Sequence, residues 1–495
     1  MDWAGWVIQV MAFSFVLVVG AAALLVVILF IIDRSQTEDA VRRNYPVIGR
    51  FRHIFTELGE FFRQYFFAMD REELPFNRAQ RDWVKRAVSG KGNTVAFGST
   101  RNIAVTGTPL FVNAPFPPLD NQFASSEPMM IGPGARQPYM AGSFFNISGM
   151  SYGAISKPAV LALSRGAKEA GIWMNTGEGG LSPYHLEGGA DIVFQIGTAK
   201  YGVRDRDGRL DDNKLRDVAA HEQVKMFELK LAQGAKPGKG GILPGAKITP
   251  EIAKIRGIDV GQDSISPNRH VEIDDWDDLL DFLAHIREVT GKPVGIKTVF
   301  GAAQPVRELF EMINRRGDAF APDFITLDGG EGGTGASPLP LMDLVGVTIR
   351  EALPEVAGLL REYGLKDRIK LVASAKLMVP GDVAWALAAG ADFVTSARGF
   401  MFSLGCIQAM KCNMNTCPTG ITTHDPRFQK GLVPEDKYKK VARYAKNIVK
   451  EVETIAHSVG VAEPRQLKRT HVRIVQDTGK SVLLSELYPD VARKA

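Results

Sequence analysis

Residues 369–399 read IKLVASAKLMVPGDVAWALAAGADFVTSARG. An apolar run over 369–373 ends on the polar Ser374, Ala375 and Lys376. A helix-length segment around 381–389 follows and stops at Gly390. A second apolar run, 393–396, ends on Ser396, Ala397 and Arg398. Short apolar runs bounded by small polar residues, with a helical stretch between them, read as a strand–helix–strand unit with parallel strands.

The same pattern recurs upstream. Runs at 143–148, 172–175, 226–231, 294–299 and 324–327 read as buried strands, which makes seven with the two above; no eighth can be placed. Helices separate several of them. Ser156 is an N-cap with Pro158 in the first turn, and Gly171 ends that helix. Another starts at Asp274, buries Trp276, Leu279, Leu280, Leu283 and Ile286, and stops at Gly291. Polar and Gly-rich loops follow six strand ends: 149–152, 175–178, 234–236, 329–331, 374–376 and 396–398. An open doubly wound sheet gathers its ligand loops at one switch point, whereas a barrel spreads them around one face. The expected fold is therefore α/β, a (β/α)8 TIM barrel. In such barrels the loops after the last two strands form the usual phosphate site, here 374–376 and 396–398.

The chain has 495 residues, and its 60 Lys and Arg against 55 Asp and Glu leave too small an excess to suggest nucleic-acid binding. Fifty glycines cluster in loops such as 177–180 and 329–335, where backbone must approach a ligand closely. Residues 4–32 carry no charge, and as a helix they would run about 43 Å, enough to cross a hydrocarbon core of about 30 Å. The segment is too long for a signal peptide and lacks a basic start. Arg34, Arg42, Arg43, Arg50 and Arg52 follow it, so the positive-inside rule predicts a single-pass anchor in the cell membrane with the rest of the chain cytoplasmic. Phe51, Phe55, Leu58, Phe62 and Phe66 then fall on one face of an amphipathic helix, which suits the bilayer surface, the catalytic domain or another subunit.

The expected organisation is a transmembrane anchor at 1–33 and a juxtamembrane helical segment at 34–107. A Pro-rich wrapping segment at 108–142, the barrel at 143–430 and a C-terminal helical tail at 431–495 complete it. All three cysteines, Cys406, Cys412 and Cys417, lie in one loop and read C-x5-C-x4-C-P. Structural zinc wants four ligands with shorter spacings. Three thiolates suit a three-iron cluster, with a four-iron cluster and a non-Cys fourth ligand as the alternative, and a Pro after the last Cys recurs in ferredoxin-type runs.

Taken together, several motifs resemble the FMN-binding synthase domain of glutamate synthase, and more closely its short stand-alone members. They are Met150-Ser151-Tyr152-Gly153-Ala154-Ile155-Ser156, Asn175-Thr176-Gly177-Glu178-Gly179-Gly180, the 232–238 run AQGAKPG, Ile265-Ser266-Pro267, the 332–338 run GGTGASP and the three-Cys loop. The likeness covers about residues 143–425. It implies FMN at the C-terminal face of the barrel and a 3Fe–4S cluster beside it. The implied reaction is reductive amination, in which ammonia and 2-oxoglutarate form an imine that reduced FMN converts to glutamate. By the same resemblance, FMN is held by Met150, Ser151, Asn175, Thr176, Lys230, Gly332 and Gly333, with its phosphate at Ser374, Ala375, Lys376, Ser396, Ala397 and Arg398. Lys236 would point at substrate, Arg256 would pair with a carboxylate, and Glu178 would line the pocket.

The sequence departs from the family pattern at two substrate positions: Lys239 stands where the synthases have an acid, and Ile242 where they have a substrate-contacting Gln. Ile cannot hydrogen-bond a carbonyl, which leaves the keto acid open. The phosphate loop reads Ser-Ala-Lys in place of paired glycines. No glutaminase nucleophile and no complete nicotinamide-binding fingerprint are present. The implied partners are a keto acid and ammonia, a lipid bilayer, an electron donor such as ferredoxin or a membrane redox protein, and a separate glutaminase subunit or a second copy of the chain. Competing readings are an FMN oxidoreductase for another substrate, a membrane redox sensor or accessory subunit that keeps the cofactors, and an isomerase, which would have no use for an electron relay.

Overall fold

The computed structural model describes residues 3–490 except residue 93, and leaves the side chains of residues 53 and 60 undescribed. The acidic start at residue 2 and the last five residues of the expected tail lie outside the described residues. Two compact units result, one reaching to Gln80 and the other starting at Arg81.

Eight parallel strands close a barrel in the larger unit. They are β1 (Phe145–Ile147), β2 (Trp173–Asn175), β3 (Asp191–Ile196), β4 (Val224–Lys230), β5 (Val294–Thr298), β6 (Phe324–Asp328), β7 (Lys370–Ser374) and β8 (Phe393–Ser396). β8 pairs with β1 through Val394 and Phe145, which closes the ring. The strand missing from the sequence reading is β3. It follows β2 after only a five-residue helix, Pro183–Glu187, where a full crossover helix would be expected.

Helix ends fall where cap chemistry puts them. The Ser156 hydroxyl accepts from the Ala159 N–H, and Gly171 adopts φ +68 to end the helix Lys157–Ala170. The Asp275 carboxylate caps Trp276–Thr290, one residue beyond the expected start.

A hairpin of Met129–Ile131 and Tyr139–Ala141 plugs the N-terminal end of the barrel. Its Ile131, Tyr139 and Ala141 pack with Trp173, Met226 and Phe393 in one buried cluster. The Pro-rich segment thus contributes three short strands, because Pro109–Phe111 pairs with Val472–Val475. The C-terminal tail is also more than helical. After the 26-residue helix Pro434–Val459 it forms a hairpin of Val472–Val475 and Ser481–Leu483, with Val472 and Val475 buried. The long helix packs on Lys157–Ala170, where a Cβ at Gly166 would lie 2.5 Å from the Val441 side chain.

In the smaller unit, Trp3–Ser35 is one continuous apolar helix, and none of its most apolar stretch is buried. Two short helices, Ala40–Asn44 and Gly49–Phe62, follow it.

Candidate active site at the C-terminal barrel face

Successive side chains of a strand alternate faces, so Glu228 and Lys230 of β4 share one side, as do Thr326 and Asp328 of β6. Glu228 is buried and fully engaged. Asn175 Nδ2 (2.8 Å) and Gln195 Nε2 (2.6 Å) donate to its Oε1, and Thr326 Oγ1 donates to its Oε2 at 2.6 Å. Four strands therefore meet on one carboxylate inside the barrel. Asn175 Oδ1 also accepts from the Gly177 N–H, and Thr176 Oγ1 accepts from the Gln195 N–H, which sets the loop after β2. The expected cofactor residues Asn175 and Thr176 are thus held rigidly at the mouth of the barrel.

Above this network lies a cluster of charge. Lys230 Nζ donates to Glu178 Oε1 at 2.8 Å and to Gln233 Oε1 at 2.5 Å. Burial alone would raise the Glu178 carboxyl, but Lys230, with Lys236 and Arg256 behind it, holds it below its ordinary value. Lys236 is buried with its Nζ 3.4 Å from the Ala336 carbonyl. Burial, together with the neighbouring ammoniums of Lys230 and Lys239, pulls it down to about 8, against the opposing pull of Glu178.

Arg256 is buried at 4% exposure. Its Nη1 reaches Ser264 Oγ at 3.3 Å, and its Nη2 reaches Ser151 Oγ and the Tyr152 carbonyl at 3.4 Å, all at the weak edge of hydrogen bonding. Its Nε has no partner, and no carboxylate among the described residues forms an ion pair with it. The guanidinium lies 5.0 Å over the Tyr201 ring, and burial lowers its pKa. Small residues keep this space open. A Cβ at Gly179 would sit 3.0 Å from Arg256 Nη2, and one at Gly241 would collide with Glu178 Oε1.

Met150 and Ser151 lie against the loop after β2, where a Cβ at Gly177 would stand 2.5 Å from the Ser151 N. Gly332 and Gly333 follow β6. A Cβ on Gly333 would lie 3.3 Å from Arg398 Nε, and Arg398 Nη2 donates to the Thr334 carbonyl at 2.6 Å. Ser396 Oγ accepts from the Gly399 N–H at 3.3 Å. Ala375 and Lys376 stand at φ 151 and 47, conformations that glycine adopts freely and other residues rarely do. The loop after β7 thus keeps a glycine-like backbone although its glycines are replaced. That tight backbone, with the start of helix Pro380–Ala389 beyond it, suits the phosphate end of FMN.

The three thiols share one loop, but among the described residues they do not converge into a group able to hold a metal. Each sulfur nevertheless faces a donor, as a thiolate requires. The Gln408 N–H points at Cys406 (3.4 Å), Arg398 Nη1 at Cys412 (3.7 Å), and Cys417 lies 3.3 Å from Thr419 Oγ1. Burial raises the Cys406 thiol; at Cys417 burial is outweighed by hydrogen bonds from Thr419 and Thr422, which lower it.

Several residues escaped the sequence reading. Glu228 could have been found from its two-residue spacing to Lys230. Lys297 and Asp328 pair at 3.7 Å on neighbouring strands. Lys247 is buried and donates to the Ala154 carbonyl at 2.7 Å and the Cys412 carbonyl at 3.2 Å, which ties the cysteine loop to the barrel; nothing in its local sequence separates it from a surface lysine.

Comparison with known proteins adds three findings. A family model described as a conserved region in glutamate synthase matches residues 122–462. The glutamate synthase large subunit-like protein YerD of Bacillus subtilis is 40% identical over 95% of this chain and 97% of its own. An archaeal-type glutamate synthase (NADPH) of a Thermotoga species is 36% identical over 63% of this chain, and the match spans only 58% of that protein. Among solved structures, a flavocytochrome b2 mutant with pyruvate bound aligns over 84% of this chain and 88% of that one, at 16% identity and a TM-score of 0.47. Likeness of that degree adds nothing to the barrel described above.

Proposed function

The chain belongs to the glutamate synthase family, and from that premise we propose that it is an FMN oxidoreductase of the CH–NH2 class that reductively aminates a keto acid with ammonia. The observation that carries this reading is Arg256, a buried guanidinium without a carboxylate partner among the described residues, beside Lys236 and the Glu178–Lys230 pair. Such a group is suited to a substrate carboxylate in fork geometry.

FMN, when bound, supplies the hydride. The residues suited to hold it are those around Asn175, Thr176 and Lys230 and the backbone at 374–376 and 396–398. Arg256 binds and orients the acid group of the substrate. Lys236, drawn down to about 8, holds at Nζ a proton that it can give up near neutral pH, as loss of water from an amine adduct requires. Glu178 holds Lys230 in place, and Gly179 and Gly241 leave the room in which substrate sits.

Ile242 pairs with the exposed Ile265 in a two-stranded ribbon, and Gly241, its neighbour, is the residue that faces Glu178. Partners across a ribbon share a face and successive residues alternate faces, so Ile242 lies on the open side, turned away from Glu178. Lys239 is exposed.

The three-Cys spacing and the donors at each sulfur support an iron–sulfur cluster of the 3Fe–4S type, fed by a ferredoxin or a membrane redox protein. The apolar helix Trp3–Ser35 supports a single membrane span with the barrel on the cytoplasmic side. The test is anaerobic reduction of the purified protein, followed by stopped-flow reoxidation of the flavin with keto acids and ammonia. Reoxidation by a keto acid with ammonia, and an amino acid product, are expected. No reoxidation by any keto acid would sink the reading. Zinc without iron in anaerobic protein would sink the cluster, and release of the full chain by alkaline carbonate would sink the span.

A further inference from the structure

Two residues before the end of the helix Trp3–Ser35 stands Asp33, whose carboxylate is buried although nearly all of the helix around it is exposed. Four guanidinium N–H groups converge on it. Arg42 donates through Nε (3.0 Å) and Nη2 (2.7 Å), and Arg50 through Nε (2.8 Å) and Nη2 (2.7 Å). The Val47 N–H adds a fifth bond at 3.0 Å. Val47 itself stands at φ 66, a conformation that β-branched residues rarely adopt. Gly49 is packed so closely that a Cβ would lie 3.0 Å from the Arg42 Cα. The turn between the apolar helix and Gly49–Phe62 is therefore a built joint, and it holds the base of the third helix at the depth of Asp33.

What that joint presents is an apolar face. Phe51, Phe55, Leu58 and Phe62 share one side of Gly49–Phe62 by helical spacing, and all are between 41% and 67% exposed. Ring contacts carry the strip onward, with Phe62 and Phe66 5.5 Å apart. Exposed Arg43, Arg52 and Arg63 lie along the same segment, where anionic headgroups would meet them.

We propose that Gly49–Phe62 is an interfacial helix that lies in the bilayer surface, its Phe51–Phe62 face in the acyl boundary, held there by the Asp33–Arg42–Arg50 joint. The occupant of the face is anionic lipid, for two reasons. The joint fixes the face at the level where the apolar helix leaves the hydrocarbon, and the charged residues flanking it include arginines suited to headgroups. The inference rests on the membrane-span reading of Trp3–Ser35.

The test uses the full chain in proteoliposomes containing phosphatidylglycerol. A photoreactive p-benzoylphenylalanine replaces Phe55, Leu58 or Phe62 in turn, with Thr56 on the polar side as control. Lipid adducts at the three apolar positions and their loss at Thr56 are expected. Asp33→Asn should lower the adducts at Phe55 and Phe62 while alkaline extraction still leaves the chain in the membrane. Adducts to protein only, no adducts, or equal lipid adducts at Thr56 in a chain that resists extraction overturn the interfacial helix and leave the span standing. A chain released by alkaline carbonate overturns both.

Discussion

The two ends of the barrel treat buried charge in opposite ways. At the N-terminal end, Asp323 is inaccessible and its charge is paired on both sides, although its Oδ1 meets Arg368 without hydrogen-bond geometry. Arg287 Nε (3.0 Å) and Arg368 Nη1 (2.9 Å) flank it, and the Val294 N–H donates at 2.8 Å. The plugging hairpin covers this end with Ile131 and Tyr139. At the C-terminal end, Arg256 is equally buried, yet its nearest acceptors are neutral oxygens at 3.3–3.4 Å. The lower end uses charge to fix the chain, and the upper end keeps one charge uncommitted. That asymmetry, more than the presence of charge, is why we propose the upper end as the site of chemistry, since both ends carry charge.

The hardest way to break this contrast is Asp323→Ala. It strands two guanidiniums at a sealed end, and chemical denaturation of the detergent-solubilised protein should show a loss of about 3–5 kcal/mol. A loss below about 1 kcal/mol would mean that this end is not sealed. Next comes Arg256→Met. Here stability should hold or rise, while the KM for the keto acid climbs roughly 10- to 150-fold, the value of a charge-assisted hydrogen bond. Destabilisation without a change in KM would reassign Arg256 to the scaffold. A smaller effect is expected at the loop after β7, the proposed phosphate site. Ala375→Gly should stabilise the folded protein by about 1 kcal/mol, because it removes the cost of φ 151 at a residue with a Cβ. A lower melting temperature would show that the alanine methyl packs usefully.

The finest test concerns pH. Lys236 is charged below about 8 and loses its proton above it, so keto-acid binding should weaken as pH rises through that value. Lys239 is one of the cations that push it down. Lys239→Glu should move the limb upward in a pH series of KM; an unmoved limb would assign it to another group.

Much of this was legible before the fold was known, because caps and strand ends are local. Ser156, Gly171 and Gly291 did what their side chains or lack of one dictate. β3 was not legible, since Gly188 and Gly189 and a five-residue helix stand where a crossover should announce it. The Glu228 network was hidden for a different reason. Asn175, Gln195, Glu228 and Thr326 come from four strands, and only closure of the ring makes them neighbours. The loop after β7 shows the reverse case: its residues argue against a glycine-like backbone, and the surrounding fold imposes one at Ala375 and Lys376 nonetheless. That Arg256 has no carboxylate partner among the described residues is a property of what fails to surround it, which no local pattern encodes.

The small sheet that joins Pro109–Phe111 to Val472–Val475 sets a timetable. Its first strand leaves the ribosome about 360 residues before its partner, a delay of roughly 20–70 s at ordinary rates of synthesis. Through that interval all eight barrel strands are made while one sheet edge stands unpaired. A chain that stalls or is clipped before residue 472 would carry a complete set of barrel strands and an open edge, a form suited to capture by chaperones or to aggregation.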